Sequence, residues 1–340
     1  MCGRIGQTAT PKEIQESYAA SYAGVSLAGF DPYEVFPDLD EEIKEAEKEL
    51  DEAEGEEDNA EAKKRLFETK GRHNVGAGNP AILVHNAQLG QGRQVVDAMF
   101  GFTPSWSPKL TYQINARAEG AMNPENSANY SGPWGIFDKP YFKEAIRSRR
   151  CVLPVSYFVE GPQKERLSKP FVIVKDDASL FSLGGIWNLW TDRATGEQIM
   201  TFAIVTTAAN AITSAIGHHR APLLIKDDDL DAWLDPATPI ERVEAMFQPF
   251  LEDRFIAYPI DKKIKRPNRA GNTNSESELV RPTGSPISPT GYAGVRLHEN
   301  PEFSWMFNAD GTLKEEFLPP KPTDNNPEQE QGKDGQISLF

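Results

Sequence analysis

The sequence predicts an α+β fold built around antiparallel sheet. Apolar or β-branched runs of strand length recur between Gly, Asp and Asn turns, and a few short segments have helical spacing. Nowhere do strands and helices alternate in the regular way a parallel sheet requires. With 39% hydrophobic residues in 340, the chain can bury a sizeable core.

In chain order, a helix is expected over 12–23. Residues 38–61 then carry fourteen acids against two Lys, a local charge of −12. Leu39, Ile43, Ala46, Leu50 and Ala53 follow a heptad seam that Gly55 breaks, and residues 62–67 return as a second helix, so 38–70 reads as an inserted acidic helical hairpin. Strands follow at 81–84, 95–102, 171–174, 180–187 and 200–206, with helices at 141–148, 227–234 and 239–251. Aromatics at 284–319, namely Tyr292, Phe303, Trp305, Phe307 and Phe317, suit an extension docked on the core. Residues 320–340 are mostly Pro, Asn, Gln and acids, a composition that cannot bury enough apolar surface to order itself.

No apolar run approaches a membrane span and no signal peptide is evident, so a cytoplasmic protein without membrane contact is expected. Two cysteines make no disulfide scaffold, and Cys151 lies in an apolar run suited to a buried thiol. The five histidines show no ligand spacing beyond the adjacent pair His218-His219, and there is no Gly-rich nucleotide loop; neither metal nor cofactor is expected. The net charge of −15 argues against nucleic acid only superficially. Most of it belongs to the acidic insertion and the tail, while the remaining body is near neutral and carries basic clusters at 143–150 and 262–269, able to hold phosphates.

The chain begins Met1-Cys2-Gly3-Arg4. Removal of Met1 leaves a cysteine with both a free α-amine and a thiol, which together convert an aldehyde to a five-membered thiazolidine. An α-amine near pKa ~8 and a thiol near ~8.5 are both usable close to neutral pH.

Four further segments combine polar groups with strand or turn context: Gly71-Arg72-His73-Asn74-Val75; Phe100-Gly101-Phe102-Thr103-Pro104-Ser105-Trp106 leading to Asn115-Ala116-Arg117-Ala118-Glu119; Arg150-Cys151 with Glu160 beyond it; and His218-His219-Arg220-Ala221-Pro222. With the Met-Cys-Gly-Arg start, their order and spacing resemble the SOS response-associated peptidase (SRAP) family, whose members crosslink themselves to abasic sites in single-stranded DNA. The resemblance runs from residue 1 to about 283, interrupted by the acidic hairpin. It implies a single domain over 2–283 around a twisted, barrel-like, largely antiparallel sheet with peripheral helices, acting as a monomer. The chain departs from the family pattern at Phe100, Ser156, Tyr157, Gly161 and the stretch Gly76-Ala77-Gly78, positions expected to lie on the base-stacking surface.

The resemblance implies Cys2, Asn115, Glu160 and His218 as catalytic residues. Cys2 forms the crosslink, His218 donates a proton to open the closed abasic sugar near neutral pH, Glu160 holds or accepts a proton from the Cys2 amine, and Asn115 orients the reacting groups. Arg4, Arg72, Asn74 and Arg117 are expected on the DNA backbone, with Phe100 and Trp106 against bases. Two other functions compete: a cysteine peptidase or self-processing hydrolase using Cys2, and a non-catalytic interaction protein. Finally, Gln336-Ile337-Ser338-Leu339-Phe340 resembles the peptide by which bacterial replication and repair proteins bind the sliding clamp, with Gln336, Leu339 and Phe340 as anchors.

Overall fold

A computed structural model of the chain describes residues 3–9, 11–22, 48, 52, 73–86, 92–249, 254–265, 277–284, 286–288, 297–299, 304–312 and 314–315. The described strands are β1 (Arg4–Gly6), β2 (Ser21–Tyr22), β3 (Val75–Gly76), β4 (Pro80–His85), β5 (Gln94–Phe100), β6 (Asn115–Arg117) and β7 (Arg150–Val155). They continue with β8 (Tyr157–Glu160), β9 (Phe171–Lys175), β10 (Phe181–Thr191), β11 (Gln198–Ala208), β12 (Arg220–Pro222), β13 (Leu224–Ile225) and β14 (Phe255–Pro259). The α+β expectation holds. One sheet runs β14-β9-β8-β1-β3 and is antiparallel throughout. In the other, β11-β10-β7-β4-β5 pair in series and β5 returns to β11 through Thr201↔Met99 and Phe202↔Phe100, closing a five-stranded barrel. Closure removes the free edges that would otherwise invite association.

Side-chain alternation sorts this barrel into two faces. Ile82, Val84, Val95, Val152, Ala203 and Val205 join the cluster that holds Phe142, Trp233 and Phe247 from the helical segments. Their neighbours Leu83, Val96, Leu153, Phe202 and Ile204 join Ile5, Phe158, Ile173 and Phe255 from the first sheet. The far face of that sheet, including Tyr157, Val172 and Tyr258, is covered by Ile264, Leu279, Val280, Met306 and Phe307. Pro154 lies inside β7, where its missing N–H weakens the ladder. Gln7 repairs the gap: its Nε2 donates to the carbonyls of Ile82 at 2.7 Å and Pro154 at 2.8 Å, and its Oε1 accepts from Ile82 N–H.

Helices are shorter than their sequence patterns. The one expected over 12–23 spans Pro11–Ser17, because Ala19 turns left-handed (φ +46°) and the chain enters β2 beside β5. The one expected over 239–251 is only Ile240–Glu244, and Phe247 beyond it packs against Trp134, its ring centre 5.1 Å away. The segment over 227–234 opens as a 3-10 turn, Asp227–Asp229, before the helix Leu230–Leu234. Of the acidic hairpin only Lys48 and Glu52 are described, both helical and 3.6 Å apart; the tail 320–340 lies outside the described residues. No described helix is long and apolar enough to cross a membrane.

Candidate active site

The site forms where the first sheet meets one end of β11. Arg4 of β1 pairs with Val159 of β8, and continuing that antiparallel register by one residue sets Gly3 level with Glu160. Glu160 is only 4% exposed, and its Oε1 lies 3.0 Å from Nε2 of His218, itself 4% exposed. His218 arrives from the helix Ala211–Ala215, whose start is locked by a reciprocal Asn210–Thr213 capping box. A turn at Gly217 (φ +77°) then sends the chain back, with His218 N–H on the Thr213 carbonyl at 2.8 Å. That left-handed backbone is why a glycine precedes the histidine.

Burial disfavours charge on both partners: it raises the Glu160 carboxyl pKa and lowers that of the His218 imidazole to about 4. Burial thus favours the neutral imidazole, so a proton that His218 passes on is shared with Glu160. The other ring nitrogen, Nδ1, lies 2.9 Å from the Arg220 carbonyl and 3.2 Å from its N–H. Nδ1 can thus donate to the carbonyl while Nε2 accepts from a protonated Glu160, or accept from the N–H while Nε2 donates to a carboxylate. Either arrangement satisfies the ring, so a proton can sit at either end of the pair.

Asn115, on β6 beside Ile204 of β11, is 5% exposed, and neither its Nδ2 nor its Oδ1 has a partner among the described residues. An orphaned buried amide costs about 1–3 kcal/mol unless something binds it, which marks a place for a ligand. Two residues on, the half-buried Arg117 has Nη2 on the Asn123 carbonyl and Nε 3.7 Å from Glu119. His219 stacks on His218 with centroids 5.2 Å apart, and its buried Nδ1 has no partner among the described residues. Its pKa is lowered, chiefly by burial and then by the neighbouring His218 and Arg220.

A further pair emerges that neither motif reveals alone. Arg220 and Glu119 are both buried and joined by two bonds of 2.8 and 2.9 Å, and Arg220 also donates to the Thr206 carbonyl and hydroxyl. The Asn-Ala-Arg-x-Glu and His-x-Arg-x-Pro segments therefore clamp each other across β11. Opposite formal charges in two polar motifs were the available signal, but 101 residues separate them.

Other expected site residues land as follows. Arg4 donates from Nη1 to the Gly3 carbonyl at 2.9 Å and lies over Gly76, where a Cβ would stand 1.8 Å from Nη1. Trp106 is 58% exposed, its ring edge-on to Tyr141 with centroids 5.9 Å apart. Asn74 and Phe100 are corrected: both are fully buried, Asn74 donating to the Ile264 carbonyl at 3.2 Å and Phe100 stacking on Phe202 at 4.8 Å, so neither offers a surface to DNA. The departures at Ser156, Tyr157 and Gly161 are interior as well. Ser156 bonds Thr8, Tyr157 lies against Gly6 and bonds His73, and Gly161 admits the Arg166 carbonyl where a Cβ would be 2.0 Å away. Their expected place on a base-stacking face is not where the fold puts them. Cys2, Arg72, Gln336, Leu339 and Phe340 lie outside the described residues.

Comparison with known proteins finds relatives for this chain. The abasic site processing protein YoqW of Bacillus subtilis is 26% identical over 196 residues, covering 56% of this chain and 78% of the relative. HMCES of Gallus gallus, also named an abasic site processing protein, is 24% identical over 168 residues, covering 42% and 46%. A crystal structure of a Bacteroides thetaiotaomicron protein superposes with a TM-score of 0.58 at 20% identity, over 83% of this chain and 100% of that one, which shows a shared fold. The family profile described as SOS response associated peptidase matches residues 1–267, taking in Asn115, Glu160 and His218 together with the strands that hold them. A match of that extent places the chain in the SOS response associated peptidase (SRAP) family.

Proposed function

We propose that this chain recognises abasic sites in single-stranded DNA and links itself to them covalently through Cys2 once Met1 is removed. The observation that carries the reading is the buried 3.0 Å contact between Glu160 and His218, at the strand end level with Gly3. Chain connectivity keeps the Cα of Cys2 within about 3.8 Å of that of Gly3, and the reading requires the aminothiol to reach the pair from there. The relatives' names point to the same substrate.

The chemistry follows in order. An abasic sugar is mostly a closed hemiacetal; the pair, protonated at one end and basic at the other, supplies a proton to the ring oxygen and takes one from the hydroxyl, releasing the aldehyde. The Cys2 amine adds to the aldehyde carbon and the carbinolamine loses water to give an imine. The thiol then adds across the C=N bond, closing the five-membered ring and returning the nitrogen to an amine. One water leaves overall. Asn115, with both amide atoms unspent, orients the opened sugar, and Arg117 and Arg4 take phosphates.

Mixing the protein with an abasic single-stranded oligonucleotide and running a denaturing gel tests the reading. A heat-stable shifted band is expected, absent for Cys2→Ala, and a stable band from Cys2→Ala without borohydride would overturn it. A peptidase acting through Cys2 would leave no such band. The 336–340 peptide is proposed to bind a bacterial-type sliding clamp weakly; equal clamp binding by the full chain and by a chain stopped at Gly335 would refute that.

A further inference from the structure

Immediately after Glu160 the chain makes two bends that place charge beside the site. Gly161 packs under the Arg166 and Lys169 carbonyls, and Gln163 N–H donates to the carbonyl of Gly217, next to His218, at 3.0 Å. The 3-10 turn Arg166–Ser168 then abuts a second 3-10 turn, Lys262–Lys265, where Lys265 Nζ reaches Ser168 Oγ at 3.5 Å. Residues 162–169 and 261–265 together hold six cationic side chains, Lys164, Arg166, Lys169, Lys262, Lys263 and Lys265, against Glu165 and Asp261. All six are exposed, in a chain of net charge −15. Lys169 is engaged with Glu165 at 3.6 Å; Lys164, Arg166, Lys262 and Lys263 make no ion pair among the described residues.

Like charges crowded at this density repel and tend to lower stability unless a polyanion answers them. The backbone beneath them is held firmly all the same. Ile264 is fully buried between the lysines, and its carbonyl accepts from the buried Asn74 side chain, which ties the second turn to the sheet that carries Glu160. A loose surface needs no buried asparagine to set its height. Isolated lysines on a solvated loop would have neither the shared rigid base nor the position next to the reactive pair.

We infer that these two turns form a phosphate track continuous with the active site, along which the DNA strand beyond the lesion is held. The inference rests on the proposed function and extends it: the site handles the sugar, and the track handles the backbone on one side of it. Asn74, expected from the sequence to touch DNA, acts here as a positioning residue for the turn that does. Because the contacts are to phosphates, the track is indifferent to base sequence and its strength is a matter of counterion release.

The test combines Lys164→Gln, Arg166→Gln, Lys262→Gln and Lys263→Gln in the full chain, with the four-arginine counterpart as a charge-retaining control. Affinity for lesion-free single strands is measured against salt as the oligonucleotide is lengthened from about 5 to about 20 nucleotides, a span that brackets common single-strand site sizes. For long strands the slope of log affinity against log salt is expected to fall by about 2 to 3, given roughly 0.7 per phosphate lost. The arginine control should keep the parent slope, and the deficit should shrink on the shortest strands. An unchanged slope on long strands, or a deficit equal at every length, overturns the track. The parent protein's crosslinking to abasic DNA, run alongside, separates the two claims: a parent that fails to crosslink while the slope still falls refutes the proposed function and leaves a DNA-binding surface standing.

Discussion

Two glycines carry side chains rather than turns. At Gly6 a Cβ would stand 2.1 Å from the Tyr157 ring, which is fully buried and anchored by a 2.9 Å bond to His73, so the ring cannot yield. Gly6→Ala is expected to destabilise by about 1–3 kcal/mol, the usual cost of overpacking, readable by urea denaturation. At Gly76 the obstructing atom is the far end of Arg4, which can move. Gly76→Ala should leave the melting temperature nearly unchanged yet weaken DNA binding as Arg4→Ala does; full affinity in both variants would remove Arg4 from the interface. The two histidines separate as sharply. His218→Ala is expected to slow crosslinking by about 10²-fold, a typical loss for one acid-base group, without changing lesion-free binding. If His219→Ala slowed the reaction and His218→Ala did not, the proton pair described here would not be the one in use.

At the level of elements, β6, β11 and β12 depend on the Glu119–Arg220 clamp, because both charges are buried and each satisfies the other. Burial alone would raise the Glu119 pKa, but the bonds and charge of Arg220 reverse this and hold it below the usual carboxylate range. Arg220→Ala abandons Glu119 in a buried site and is expected to cost about 3–5 kcal/mol. Equilibrium denaturation should show the loss, with Glu119→Gln/Arg220→Met recovering part of it. A double variant no more stable than Arg220→Ala would mean that the stranded charge is not the cause. The same clamp ties the segment that carries Asn115, four residues before Glu119, to the one that carries His218, two residues before Arg220.

Across the whole molecule, stability should depend on pH through buried imidazoles. Burial lowers both His85 and His218 from the ordinary 6.5 to about 4. Between those values the unfolded chain binds protons that the folded chain refuses, so this contribution is complete above pH 6.5 and is lost as pH falls toward 4. Glu160, raised by burial, acts in the opposite sense, favouring the unfolded chain as pH rises past its ordinary carboxylate value. Melting temperature is expected to drop between pH 7 and 5. His85→Phe should flatten that slope and also raise stability at neutral pH by about 1–3 kcal/mol, since both ring nitrogens of His85 are buried beside Trp187 and have no hydrogen-bond partner among the described residues. A slope unaffected by the substitution would place the proton uptake elsewhere.

The sequence by itself determined the fold class and the family, and it named the residues proposed to react. Runs such as 95–102 and 200–206 declare strands through local β-branched and apolar density, and a motif lists its residues wherever they fold. It did not reveal β6, β8 or β14 as strands, because three to five residues carry too little periodicity, and it overextended the helices over 12–23 and 239–251, where long-range packing overrides local propensity. Only the tertiary structure decided which motif residues face solvent. Phe100 and Asn74 look like contact residues in one dimension and are interior in three, while Glu119 and Arg220 look like surface charges and form a buried clamp. Burial also shifts both members of the Glu160–His218 pair toward their neutral forms, since desolvation belongs to everything packed around a group and is written in no single stretch of chain.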